Sequence, residues 1–91
     1  MNNIESLPFK QEQLSDNSFV RTFNQNVNNE ELKWHRDYKD RTVFVLNENN
    51  WLIQFDNQLP EPLQEMFFIK KGIYHRLIKG TTDLKIKIIE T

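Results

Sequence analysis

The apolar positions of this chain fall in short runs separated by polar, turn-prone clusters. Thr42-Val43-Phe44-Val45-Leu46 is β-branched and aromatic and predicts a buried strand. The turn cluster Asn47-Glu48-Asn49-Asn50 follows it, and then Trp51-Leu52-Ile53-Gln54-Phe55 predicts a second strand. Asp56-Asn57 begins another turn, and Pro60 and Pro62 hold the next connection extended, because proline fixes φ and cannot donate to a ladder. Glu65–Ile69, Tyr74–Ile78 and Leu84–Ile89 read as three more strands. The turns Lys70-Lys71-Gly72 and Lys79-Gly80-Thr81-Thr82-Asp83 separate them, with Gly72 free to take positive φ. Leu32 to Asp37 reads as a further strand.

The first 30 residues are polar, with a loop cluster at Asn24, Asn26, Asn28 and Asn29. Within them Ser18–Phe23 predicts one strand. A helix over Glu12–Phe23 fails because apolar positions 14, 19, 20 and 23 leave a gap on its face. The expectation is therefore an N-terminal arm over 1–30 and an all-β barrel over 31–91. The barrel has about seven or eight short antiparallel strands, the turn rhythm of a sandwich or jelly roll.

Composition narrows the function. The chain has 91 residues, enough for one small domain, and its 12% aromatic content argues against disorder. There is no cysteine, which removes disulfides, thiol catalysis and thiolate metal sites. No apolar run is long enough for a membrane helix, and Met1-Asn2-Asn3-Ile4-Glu5 lacks the pattern of a secretory signal, so a cytoplasmic location is expected. A net charge of −1 disfavours a nucleic-acid binder. The basic C-terminal third, with Lys70, Lys71, Arg76, Lys79, Lys85 and Lys87, reads as solvated strand edges.

Strand parity then singles out a site. On Leu84–Ile89 the residues Leu84, Ile86 and Ile88 point one way and Lys85 and Lys87 the other. By the same rule His35 and Asp37 share a face, and His75 shares one with Ile73 and Leu77. Both histidines of the chain would thus enter an aliphatic interior. Two imidazoles and a carboxylate with open positions form a facial triad suited to Fe(II), and Mn, Ni or Zn accept such ligands too. His35, Asp37 and His75 are the candidate metal ligands.

With these residues in hand the sequence resembles the cupin family, whose double-stranded β-helix carries two histidine motifs. His35 matches the first histidine of the first motif. Gly72 and His75 match the glycine and histidine of the second at the right spacing. The resemblance spans residues 31–89 and implies a jelly-roll barrel, a divalent metal and a small-molecule ligand. Asp37 stands where the family has its second histidine, Arg41 where it has glutamate, Glu48 where glycine is usual, and Lys70 and Lys79 replace the proline and asparagine of the second motif.

Arg41 has two readings. It binds the carboxylate or phosphate of a ligand that chelates the metal, or it forms an internal ion pair with Asp37 with no metal present. A second resemblance, to Fe(II)/2-oxoglutarate oxygenases, uses the same His-x-Asp and distal histidine, with Lys85 as the basic residue for oxoglutarate. Trp34 and Tyr74 precede two of the ligands and therefore face outward, where aromatics suit an interface. The expected assembly is a homodimer, with Ser18–Phe23 lent to a neighbour.

Overall fold

The computed structural model describes residues 7–91. The first six residues of the expected N-terminal arm, including the Met1–Glu5 start, lie outside the described residues. Eight strands form: β1 (Lys10–Ser15), β2 (Ser18–Phe23), β3 (Arg41–Val45), β4 (Leu52–Phe55), β5 (Glu61–Pro62), β6 (Met66–Ile69), β7 (His75–Ile78) and β8 (Leu84–Glu90). The one helical element among the described residues is a single 3-10 turn at Asn29–Glu31, capped by the Asn28 side chain, which accepts from the Glu30 amide. All strand pairs are antiparallel. One sheet has the order β1-β2-β8-β3-β6 and the other β5-β4-β7.

Period-two alternation fills the space between the sheets. β8 buries Leu84, Ile86 and Ile88 and leaves Lys85 exposed, as its parity requires. Phe19 and Phe23 of β2 lie opposite Ile88 and Leu84, and Val43 of β3 lies opposite Ile88 from the other side. Trp51, just before β4, is fully buried and donates its indole N–H to the Thr82 carbonyl at 2.6 Å. Together with Val27, Leu32, Ile53 and Ile69 these residues make one core.

One expectation is corrected. Leu32–Asp37 is not a strand: it makes a single bridge, His35 to His75, along the free edge of β7, and its Asp37 carbonyl is bonded instead by the turn at Gly72. Trp34 is exposed, on the outward side expected for it. β1 was not anticipated, since all six of its residues are exposed and carry no alternation; it is held by the ladder it adds to β2. Finally, the strand expected to be lent to a neighbour is paired on both sides within its own chain, by β1 and β8.

The two glycines have separate reasons. Gly72 takes φ +81°, the left-handed turn foreseen for it. Gly80 lies so close to Asn50 that a β-carbon would overlap it. Asn57, at φ 62°, closes the turn after β4.

Candidate metal centre

The site grows from one backbone contact. The His35 amide donates to the His75 carbonyl at 3.0 Å, and the His75 amide returns the bond to the His35 carbonyl at 2.9 Å. Residues that exchange both bonds across an antiparallel pair project their side chains to the same face. The two imidazole rings accordingly lie 4.3 Å apart between centroids. Two residues on from His35, the Asp37 carbonyl is fixed by the Gly72 amide at 2.9 Å, a bond that the left-handed turn at Gly72 makes available. Asp40 adds two anchors: its side chain accepts from the Lys71 amide at 2.8 Å and its carbonyl from the Thr91 amide at 2.9 Å. The segment is irregular, but it is tied at four points, to His75 of β7, to Lys71 and Gly72 in the turn before β7, and to Thr91 after β8.

The three candidate ligands converge. His75 Nε2 lies 3.4 Å from Asp37 Oδ2, His35 Nε2 lies 3.8 Å from Asp37 Oδ1, and one donor atom from each residue falls within 4.8 Å of the other two. Ligands bonded at about 2.1 Å to a common ion stand about 3–3.4 Å apart, so the triad needs only a small contraction to close on one. The second ring nitrogens are occupied in the same way: His35 Nδ1 meets the Lys33 carbonyl at 3.0 Å and His75 Nδ1 meets the Ile73 carbonyl at 2.9 Å. An N–H at Nδ1 donating to a carbonyl leaves the Nε2 lone pair free, which is the tautomer that ligates metals. Burial lowers the His75 pKa below the ordinary imidazole value, and the charges of His35 and Arg41 push the same way. Its hydrogen bond to the Ile73 carbonyl and the Asp37 carboxylate oppose them. His75 is therefore a neutral imidazole near pH 7, as a ligand must be.

Asp37 is almost wholly buried, and its two oxygens differ. Oδ1 meets Arg41 Nη1 at 3.2 Å. Oδ2 is buried and has no hydrogen-bond partner among the described residues. A buried carboxylate oxygen without a donor is costly, and this one faces the free nitrogen of His75, another acceptor. A cation between them satisfies both. The donor set fits a divalent metal.

Arg41 stands at an inward position of β3 opposite Glu90 of β8. Its Nε–H and Nη2–H both donate to Glu90 Oε2, at 3.0 and 2.8 Å. With Asp37 on Nη1, the guanidinium is held by two carboxylates. Glu90 was not anticipated, although Leu84, Ile86 and Ile88 set the parity that places it inside. Arg21 was missed for the same reason: it continues the inward series Phe19, Arg21, Phe23. Lys85, the basic residue expected for an oxoglutarate carboxylate, lies on the outer face of β8 and is exposed. That placement removes the residue on which the oxygenase reading relied.

The triad opens on a cavity of about 340 Å³ between the sheets, whose walls include Val43, Phe67, Leu77, Ile86 and Ile88. His75 and Asp37 lie deep in it, while the His35 side chain is half exposed. Trp34 and Tyr74 are partly exposed, each beneath a guanidinium, that of Arg76 and Arg36 respectively.

No family model matches the chain, and no curated protein matches it. Solved structures do. A cupin-domain protein of Bordetella pertussis is 14% identical, with 98% of this chain covering 99% of that one at a TM-score of 0.65. An RmlC-like cupin with a double-stranded β-helix from Methanocaldococcus jannaschii is 7% identical, with full coverage of this chain, 86% of that one and a TM-score of 0.69. A structure of Fe(II)-HppE is 18% identical over 81% of this chain, at a TM-score of 0.61, and this chain spans 41% of its length. The fold is the cupin jelly roll, a double-stranded β-helix.

Proposed function

We propose that this cupin-fold chain binds one divalent metal ion through His35 Nε2, His75 Nε2 and the Asp37 carboxylate, and receives a small anionic molecule in the adjoining cavity. The observation that carries the reading is the buried Asp37 Oδ2, which has no donor among the described residues and lies 3.4 Å from the free nitrogen of His75. Support also comes from the two Nδ1-to-carbonyl bonds, which aim both Nε2 lone pairs inward. The similarity in fold to an Fe(II) protein, HppE, is consistent with iron among the candidates, beside Mn, Ni and Zn. A bound ion supplies Lewis acidity and open coordination positions.

The residues divide the work. His75 is the deep ligand, kept neutral by burial. His35 closes the site from the cavity mouth, where it is half exposed. Arg41 holds Asp37 Oδ1, leaving Oδ2 toward His75, while Glu90 fixes Arg41. The apolar wall limits water around the ligand.

A second reading has its own observation. The Asp37–Arg41–Glu90 chain of ion pairs is continuous at 3.2 and 2.8 Å, which suits a metal-free polar core in a non-catalytic binding module. Cobalt(II) titration separates the two. The metal reading expects a visible ligand-field absorption that saturates at one equivalent in wild type and is lost in His75→Ala and Asp37→Asn. The ion-pair reading expects the spectrum of free cobalt in every case.

A further inference from the structure

Arg21 is a cation on the inner wall that pairs with no anion among the described residues. It sits on β2 between Phe19 and Phe23, opposite Ile86 of β8, and lines the same cavity as His35, Asp37 and His75. Its guanidinium lies 4.1 Å from the centroid of the Phe9 ring and 4.9 Å from that of Phe19. Its Nε–H donates to Gln11 Oε1 across the β1–β2 pair at 2.8 Å. Among the described residues this is its one side-chain hydrogen bond, and no carboxylate is within ion-pair distance: Asp37 and Glu90 are both held by Arg41. Burial and the charge of Arg41 bring its pKa down to about 10, against the pull of Asp37 and Glu90, so it remains a cation at neutral pH.

A cation withdrawn from water is costly unless an anion meets it. Among the described residues Arg41 takes both Asp37 and Glu90 at ion-pair distance, and Arg21 is left with a neutral amide and two ring faces in direct contact. The cavity walls include the apolar Val43, Phe67, Leu77, Ile86 and Ile88, and Glu31 and Lys33 also line it. A single guanidinium presents a planar fork that pairs with a carboxylate. The volume suits a small molecule rather than a polymer segment.

We infer that Arg21 is the anion anchor of this cavity and that the ligand is a small monocarboxylate with an apolar body, aliphatic or aryl. The inference rests on the proposed function only in taking this cavity as the working site, and the anchor is independent of the metal. Calorimetric titration of chelator-treated full-length protein with octanoate and with its neutral isostere, octanamide, tests it. Wild type is expected to bind octanoate at least about tenfold more tightly than octanamide. Arg21→Gln, which keeps a partner for Gln11, is expected to lose that preference while binding zinc as wild type does. Equal affinity for the two compounds in wild type, binding of neither, or an unchanged preference in Arg21→Gln overturns the inference. An octanoate preference in wild type that fails to bind zinc upholds the anchor and removes the metal reading instead. The comparison of the two compounds on wild type holds even where a variant is poorly folded.

Discussion

The strands β2, β8 and β3 and the segment from Leu32 to Asp40 lie against the same interior but are held by different forces. The three strands are in continuous register, and their inward positions supply the core residues Phe19, Phe23, Val43, Leu84, Ile86 and Ile88, with Leu84 and Val43 almost wholly removed from solvent. The segment buries Leu32 and Asp37, while Lys33, Trp34, His35 and Arg36 between them are all exposed. It is placed instead by single hydrogen bonds: the His35–His75 exchange, the Gly72 amide on the Asp37 carbonyl, and the two anchors at Asp40. Burial builds the scaffold, and polar pins place the chemistry on it. Substitutions in the two regions should therefore separate stability from metal binding.

The largest effect belongs to the scaffold. Trp51→Ala removes a fully buried side chain and the indole bond to Thr82, and should cost about 3–5 kcal/mol in urea denaturation. Where the variant still folds, its metal affinity should match wild type. Loss of affinity out of proportion to loss of stability would contradict the division.

Asp37→Ala comes next. Arg41 loses one partner but keeps Glu90, so the cost should be about 1–3 kcal/mol, less than for a buried charge left with no partner. Metal binding should vanish altogether. The double variant Asp37→Ala, Glu90→Ala should cost more than the two single changes added, because each single change leaves Arg41 one carboxylate.

Gly72→Ala sharpens the contrast further. Nothing lies near the added methyl group, so the cost is that of a left-handed residue with a β-carbon, about 1–2 kcal/mol. The Gly72 amide pins Asp37, and metal affinity should weaken with it. Unchanged affinity would show that the turn does not position the carboxylate.

The smallest effect is a pH dependence. Burial depresses the His75 pKa in the folded chain, so below about pH 6.5 the unfolded chain takes up a proton that the folded one refuses. Stability contributed by the neutral imidazole is complete above that pH. It is lost as pH falls toward the folded value. Melting temperatures of metal-free wild type and His75→Gln between pH 8 and 5 should diverge in that direction; parallel curves would contradict it.

The same contrast explains what could be read from the chain. β3, β4, β6, β7 and β8 were legible because each carries a short apolar run bounded by turn residues, and β2 because Phe19 and Phe23 stand two pairs apart. The expected His35, Asp37 and His75 do come together, though not by the expected route. His-x-Asp was read as strand spacing, whereas His35 makes one bridge and Asp37 is placed by the turn at Gly72. Long-range pins of this kind leave no periodicity. Arg21 and Glu90 are different: both occupy inward positions of strands whose apolar parity was plain, and a charge at such a position is itself the signal. β1 left none, since none of its residues is buried and it is held by backbone pairing with β2 and polar side-chain bonds such as Arg21 to Gln11.

The most direct test of the central claim is the metal content of the protein itself. The chain is unfolded with chelator and refolded in separate excesses of Fe(II), Mn(II), Ni(II) and Zn(II). After exhaustive dialysis, elemental analysis gives the ratio of metal to chain. The triad predicts close to one equivalent of at least one of these ions in wild type, and none in His75→Ala refolded alongside with the same circular dichroism. Folded wild-type protein free of all four ions would contradict it.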